Sequence, residues 1–185
     1  MIEVRIHGRG GQGGVTSAEM VAIAAINEGK YAQAFPSFGP ERRGAPVIAF
    51  ARVSDIKIRN RTKVYAPDIV VVLDPSVMRI VNVEEGLKEN GLLVINSGKS
   101  IDELRQEFGF KTAIAKVDAS QIAMEELGLP ITNTTMLGAL VKGNEVISVD
   151  SLVAPLENRF GRIAARNIKA MKRAYKETAV AGKES

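Results

Sequence analysis

Residues 2–28 read IEVRIHGRGGQGGVTSAEMVAIAAINE, and this stretch decides the fold. IEVRIH (2–7) has the pattern of a short strand. HGRGGQGG (7–14) then places five glycines, one arginine and one glutamine together, far more bare backbone than the interior of a regular element carries. From about Gln12 to Glu28 the pattern is helical, with MVAIAAI apolar nearly all round, as in a helix buried on several sides. Gly29 follows at the position where a left-handed residue ends a helix most easily. Strand, glycine loop and helix in that order predict the first unit of an open α/β sheet.

Working outward, YAQAF (31–35) reads as a second strand, followed by the loop PSFGPERRGAP (36–46) with three prolines and two glycines. PVIAFARVS alternates as a strand, and DIKIRNRTKV is expected to pair with it as a polar hairpin arm. DIVVVLD (68–74) is a continuous β-branched run, the pattern of a strand covered on both faces. Pro75-Ser76 is expected to start a helix running to about Leu87, and ENG (89–91) to turn the chain into the buried strand GLLVINS (91–97). IDELRQEFG predicts a short helix, TAIAKVD (112–118) a strand, and Ala119 to Leu127 a helix stopped by Gly128-Leu129-Pro130. Thr132 or Asn133 is expected to cap TTMLGALVKG, and SVDSLVAPLENRFG and RIAARNIKAMKRAYKETA follow as helices. The sum is an α/β, Rossmann-like fold: an open, mostly parallel sheet with helices on both faces. One domain over residues 1–178 and a flexible tail over 179–185 are expected.

Composition limits the chemistry. The 185 residues are 45% hydrophobic and 25% charged, ordinary for a soluble domain. No apolar run is long enough to span a membrane, and no basic-then-apolar leader pattern opens the sequence, so a cytoplasmic location is expected. The absence of cysteine excludes disulfides, cysteine-ligated zinc, a cysteine nucleophile and a cysteine-held iron–sulfur cluster within this chain. His7 is the single histidine and no G-x-S-x-G elbow occurs, so no catalytic residue and no metal site are expected here. The formal charge of +4 suits an anionic ligand, an acidic protein partner or nucleic acid. Nucleic acid is disfavoured: there are six Phe, three Tyr and no Trp, with no RNP pattern and no zinc-finger spacing.

Gly8, Gly10 and Gly13 match G-x-G-x-x-G between a strand and a helix, the context that motif needs. Glycine lets backbone N–H groups approach a phosphate, the helix N-terminus adds unpaired donors, and Arg9 would supply a charged fork. With Gly11 and Gln12 these residues form the candidate anion-binding loop. A dinucleotide enzyme also needs an acidic residue at the end of its second strand, and YAQAF offers only Gln33. The P-loop pattern fails for want of Gly-Lys-Ser/Thr. The alternative is packing, with the glycines allowing a close crossing or receiving a neighbouring subunit's backbone. Arg42 and Arg43, in the loop after the second strand, are expected beside Arg9, because the carboxyl ends of adjacent strands share one edge. Their alternative is a solvated loop with Glu41 pairing one arginine. Two further basic stretches, Arg52 to Lys63 and the face Arg159, Arg162, Arg166, Lys169, Arg173 and Lys176, fit either a solvated surface or docking to an acidic partner. Asp74, Asn96 and Ser97 stand at strand ends, and Gly138 is expected to touch a packing neighbour. His7 is expected to be a strand-end side chain with a satisfied hydrogen bond.

HGRGGQGG after IEVRI, then YAQAFPSFGPERRGAPV, DIVVVLD and NTTMLGAL, resemble the gamma subunit of the 2-oxoacid (pyruvate or 2-ketoisovalerate):ferredoxin oxidoreductases, the pyruvate synthase group. The likeness runs from Met1 to about Tyr175, and neither G-R-G-G-Q-G nor E-R-R-G-A-P departs from the pattern. It implies one component of an enzyme, inactive by itself, with alpha, beta and delta subunits as partners. Such a complex oxidatively decarboxylates a 2-oxoacid, transfers the acyl group to coenzyme A and passes electrons to ferredoxin. Thiamine diphosphate and the iron–sulfur clusters are implied to lie in the partner subunits, and this domain to sit as a lid implicated in coenzyme A handling. On that basis Gly8, Arg9, Gly10, Gly11, Gln12, Gly13, Arg42 and Arg43 are expected to contact coenzyme A phosphates or the adjoining subunit junction. Two competing expectations are a stand-alone nucleotide-binding oxidoreductase using NAD or a flavin, and a purely structural interaction module.

Overall fold

The computed structural model describes residues 1–37 and 44–184. A seven-stranded sheet has the order β2-β3-β1-β4-β5-β6-β7. Its strands are β1 (Ile2–Arg9), β2 (Tyr31–Pro36), β3 (Pro46–Ser54), β4 (Ile69–Val72), β5 (Leu92–Asn96), β6 (Ala113–Val117) and β7 (Ala179–Ala181). β1, β4, β5 and β6 pair in parallel. β3 runs antiparallel to both β1 and β2, so β2 points the same way as β1. The mostly parallel α/β fold read from the sequence is the observed one.

Five helices cover one face: α1 (Gly14–Asn27), α3 (Ala119–Leu127), α4 (Asn133–Gly143), α5 (Val153–Phe160) and α6 (Ala164–Glu177). The other face carries α2 (Ile101–Phe108) and a 3₁₀ turn over Pro75–Arg79. β4 shows why its run is continuously apolar. Ile69 and Val71 enter the core under the five helices, while Val70 and Val72 enter the second core with Leu104 and Phe110. Gly138 permits the α4–α6 crossing, since a Cβ there would meet the Met171 carbonyl oxygen at 2.0 Å.

Four local expectations are corrected. Residues 55–64 form no strand, because both edges of β3 are already taken by β1 and β2. This segment instead supplies the Thr62 and Lys63 carbonyls that accept from Arg52 at 2.8 and 3.2 Å. Arg52 is therefore no surface charge: it is fully buried, ion-paired to Glu3 at 2.7 Å. The helix expected to Leu87 stops at Arg79; beyond it, the Val83 and Glu85 carbonyls accept from the buried Arg5 at 2.9 and 2.6 Å. Residues 179–181, expected to fray, add β7 to the edge of β6.

The C-terminal basic face is also broken. Gly161, at φ 50°, separates α5 from α6, so Arg159 and Arg162 do not continue the α6 face. Within α6, Arg173 pairs with Glu125, Glu126 and Glu177, and Lys169 with Glu126, which ties much of that face to α3.

Candidate functional site

Between the end of β1 and the start of α1 only residues 10–13 remain, and their backbone must turn sharply. Gly11 and Gly13 adopt φ of 92° and 79°, a region that costs an L side chain about 1–2 kcal/mol. The loop lies against the hairpin that joins β2 to β3. The Gly10 amide donates to the Ala45 carbonyl at 2.9 Å, and the Gly44 amide to the Gly10 carbonyl at 3.4 Å. The ends of β1 and β2 are thus brought together, though not as neighbouring strands: β3 stands between them, and its hairpin makes the contact. Arg42 and Arg43, which the sequence places between β2 and β3, lie outside the described residues.

Arg9 and Gln12 are committed inside the protein. The Gln12 side chain accepts from the Arg9 amide at 2.7 Å and donates to Asp74 at 2.7 Å. The Arg9 guanidinium donates to Ser76 Oγ through Nε and Nη2 at 3.0 and 2.8 Å, and to the Gly44 carbonyl through Nη1 at 2.9 Å. Its Nε also lies 3.4 Å from the Asp74 carboxylate. Partial burial pushes the Asp74 carboxyl up. Hydrogen bonds from Ser76 and Gln12, with the Arg9 charge, outweigh that and hold it below its ordinary value. Arg9 is a strut between the glycine loop, the hairpin and β4, rather than a free fork.

This network closes the crevice between β1 and β4, where open α/β sheets ordinarily take a ligand. Other side chains complete the closure. Thr132 Oγ1 and Asn96 Nδ2 both donate to the Leu73 carbonyl, at 3.2 and 2.8 Å. Asn133 lies against Gly13, where a Cβ would stand 2.3 Å from its Nδ2. Neither Thr132 nor Asn133 caps α4, contrary to the sequence expectation, because the Thr132 hydroxyl bonds Leu73 instead.

What stays open is the start of α1. That helix has Gly13 at its cap position, no side-chain cap and no acidic residue in its first turn. Its first amides have no intrahelical acceptor and carry the positive end of the helix dipole. They border a cleft of ≈ 220 Å³ between the glycine loop with the first turn of α1 and residues 47–49 of β3. The helices on the other side of the edge are different. α2 has a full capping box between Ser100 and Glu103, and Asp118 caps α3. The larger cleft there, ≈ 500 Å³, carries Arg79 and Lys99, and both are ion-paired to Glu107.

His7 departs from expectation. It is 4% exposed, and its Nε2 has no partner among the described residues. Burial first, then the Arg5 charge, lowers its pKa to about 4, so the ring is neutral near pH 7. Among the described residues no group of three or more His, Asp or Glu is placed to hold a metal. No helix among them is long and apolar enough to cross a membrane. Sequence reading missed the partnership of Arg9 with Asp74 and Ser76. A strand-end acid on the strand that pairs with β1 was its available signal.

The chain matches the family model for pyruvate ferredoxin/flavodoxin oxidoreductase over residues 3–177. It is 50% identical, over 97% of its length and 98% of the relative's, to the "Pyruvate/ketoisovalerate oxidoreductases common subunit gamma" of Thermococcus litoralis. It is 48% identical to "Pyruvate synthase subunit PorC" of Methanothermobacter thermautotrophicus, over 96% of both chains. The crystal structure of the pyruvate oxidoreductase subunit PORC of Thermotoga maritima superposes with a TM-score of 0.87 at 37% identity, covering 97% of this chain and 98% of that one. Fold, glycine loop and full-length similarity agree: the chain belongs to the pyruvate ferredoxin/flavodoxin oxidoreductase family, on the side of its gamma, or PorC, subunits.

Proposed function

We propose that this chain is the gamma subunit of a 2-oxoacid:ferredoxin oxidoreductase, breaks no bond by itself, and binds phosphate groups of coenzyme A for the assembled enzyme. The observation that carries the binding role is the open start of α1, uncapped and free of acid, beside the hairpin that bears Glu-Arg-Arg-Gly. Coenzyme A has a diphosphate and a 3′-phosphate, so amide donors and arginines suit it without an acid for ribose hydroxyls. Gly10, Gly11 and Gly13 keep side chains out of the approach, and Gly8 leaves room for Gln12, whose Oε1 would lie 3.2 Å from a Cβ there. Gln12 and Arg9 hold the loop in shape through Asp74, Ser76 and Gly44. Arg42 and Arg43 supply the charge. Thiamine diphosphate and the clusters belong to alpha, beta and delta partners, in keeping with a chain that has no cysteine, and ferredoxin is the acceptor of the complex. No bound nucleic acid or membrane enters this reading, and a cytoplasmic site of action follows from the substrates.

Replacing Arg42 and Arg43 with alanine should raise the coenzyme A KM of the assembled complex at least tenfold, while the purified chain alone turns over no 2-oxoacid. An unchanged KM in an intact complex would remove the phosphate role. A packing role for the glycines is favoured by one observation, the Asn133 carboxamide seated on Gly13. On that reading, enlarging Gly10 costs assembly and leaves coenzyme A affinity alone.

A further inference from the structure

β3 runs antiparallel to β1, so it ends at the amino edge of the sheet, away from the glycine loop. Pro46 pairs with Arg9 beside the loop, and Ser54 pairs with Tyr31 about 27 Å further along the strand. The chain leaves β3 at that far end as DIKIRNRTKVY (55–65), which carries four cations and one acid. Lys57, Arg59, Arg61 and Lys63 are all exposed. None of the four pairs with a carboxylate of any described residue.

This segment forms neither helix nor strand, yet its backbone is tied down along its length. The Ile56 amide donates to Ser54 Oγ at 3.3 Å, and the Thr62 amide and hydroxyl both donate to Asn60 Oδ1 at 2.8 Å. The Thr62 and Lys63 carbonyls accept from the buried Arg52, and Val64 is itself buried. The Tyr65 carbonyl lies 2.2 Å from where a Gly86 Cβ would stand. At the two ends of the cationic run, Ile56 is 76% and Tyr65 73% exposed. The sheet register brings two more exposed apolar side chains to the same edge: Met1, next to the Ile2–Val53 pair, and Tyr31, opposite Ser54.

A solvated charge run needs neither an anchored backbone nor apolar flanks. Together they describe a surface that loses little freedom when it is covered, with tyrosine, arginine and aliphatic groups to bury. The charge sets the partner's chemistry. A second copy of this chain, placed by a two-fold axis, would set like charges against each other. A phosphate backbone would engage the cations and leave Ile56 and Met1 bare. We infer that residues 55–65, with Met1 and Tyr31, dock another subunit of the complex, one that presents Asp and Glu side chains around an apolar patch. The inference rests on the chain's place in a multisubunit oxidoreductase, and is independent of the coenzyme A reading at the opposite edge.

The test uses the assembled complex carrying Lys57→Glu, Arg59→Glu and Arg61→Glu together, with Ile56→Ser/Tyr65→Ser as a second variant that keeps the charge. No described ion pair is lost in either, so the melting temperature of the purified chain should be unchanged. Charge reversal should weaken retention of this chain in the complex, followed by mass photometry on dilution, by about a hundredfold. The uncharged variant should weaken it about tenfold. Rising salt should release the parent chain and have little effect on the reversed one. Carbodiimide treatment of the parent complex should couple Lys57 or Lys63 to an Asp or Glu of another subunit. Full retention of the reversed chain, with its salt dependence unaltered and no such coupling, would overturn the inference. Full retention with loss of binding to a single-stranded oligonucleotide would overturn it too, by showing a nucleic-acid surface instead.

Discussion

The carboxyl edge of the sheet has two halves built to opposite rules. On one half, α2 and α3 start with side chains that saturate their first amides: Ser100 accepts from the Glu103 amide at 3.2 Å, Glu103 accepts from the Ser100 amide at 2.7 Å, and Asp118 accepts from the Gln121 amide at 2.9 Å. On the other half, α1 and α4 start on Gly14 and Asn133 with neither cap nor acid. A cap of the first kind contributes about 1 kcal/mol, which α1 and α4 forgo. The half that forgoes it is the one with the left-handed Gly11 and Gly13 and with the Asn133 carboxamide seated against Gly13. On the reading proposed above, the difference separates helices that serve only the fold from helices whose ends are kept free for an anion.

The comparison breaks most visibly at Gly13. Gly13→Ala combines a left-handed φ with a clash against Asn133, and should cost about 2–4 kcal/mol by denaturant unfolding. Gly11→Ala meets open space and should cost only the backbone term, about 1–2 kcal/mol. Pairing Gly13→Ala with Asn133→Ala should recover part of the larger loss; no recovery would mean the two residues do not oppose one another. Next in size is the capped half. Ser100→Ala should cost about 1 kcal/mol and leave the coenzyme A KM of the complex untouched.

Asp74 sharpens the contrast through pH. Its lowered folded pKa means that it contributes stability above its unfolded value near 3.8 and loses it as pH falls through the folded value. Asp74→Asn should therefore flatten the acid limb of stability and cost under about 1 kcal/mol at pH 7. An unaltered acid limb would show that the hydrogen bonds from Ser76 and Gln12, with the Arg9 charge, do not hold Asp74 ionised in solution.

Much of this was legible in the sequence because the signals are local. β4 and β5 are continuous apolar runs covered on both faces, and Gly29 sits where α1 has to end. The glycine loop and its place at the edge were legible for the same reason. Long-range events were not. Nothing near Pro46 tells that β3 will slip between β2 and β1, since antiparallel pairing is set by partners distant in sequence. The segment after Arg79 reads as helical, yet Gly86 takes φ 71° against the Tyr65 carbonyl, and nearby carbonyls are turned to the buried Arg5. Arg9 looked free because Asp74 and Ser76, which hold it, are more than sixty residues away. Asn133 passed for a cap, as that residue type before a helix usually is one.

The central claim is that the start of α1 is left open for a phosphate. Its most direct test is the coenzyme A KM of the assembled complex with an acid placed in the first turn, Thr16→Asp. The account predicts a slight gain in thermal stability, from the dipole, together with a rise in KM of tenfold or more. A stabilised complex with an unchanged KM would contradict it.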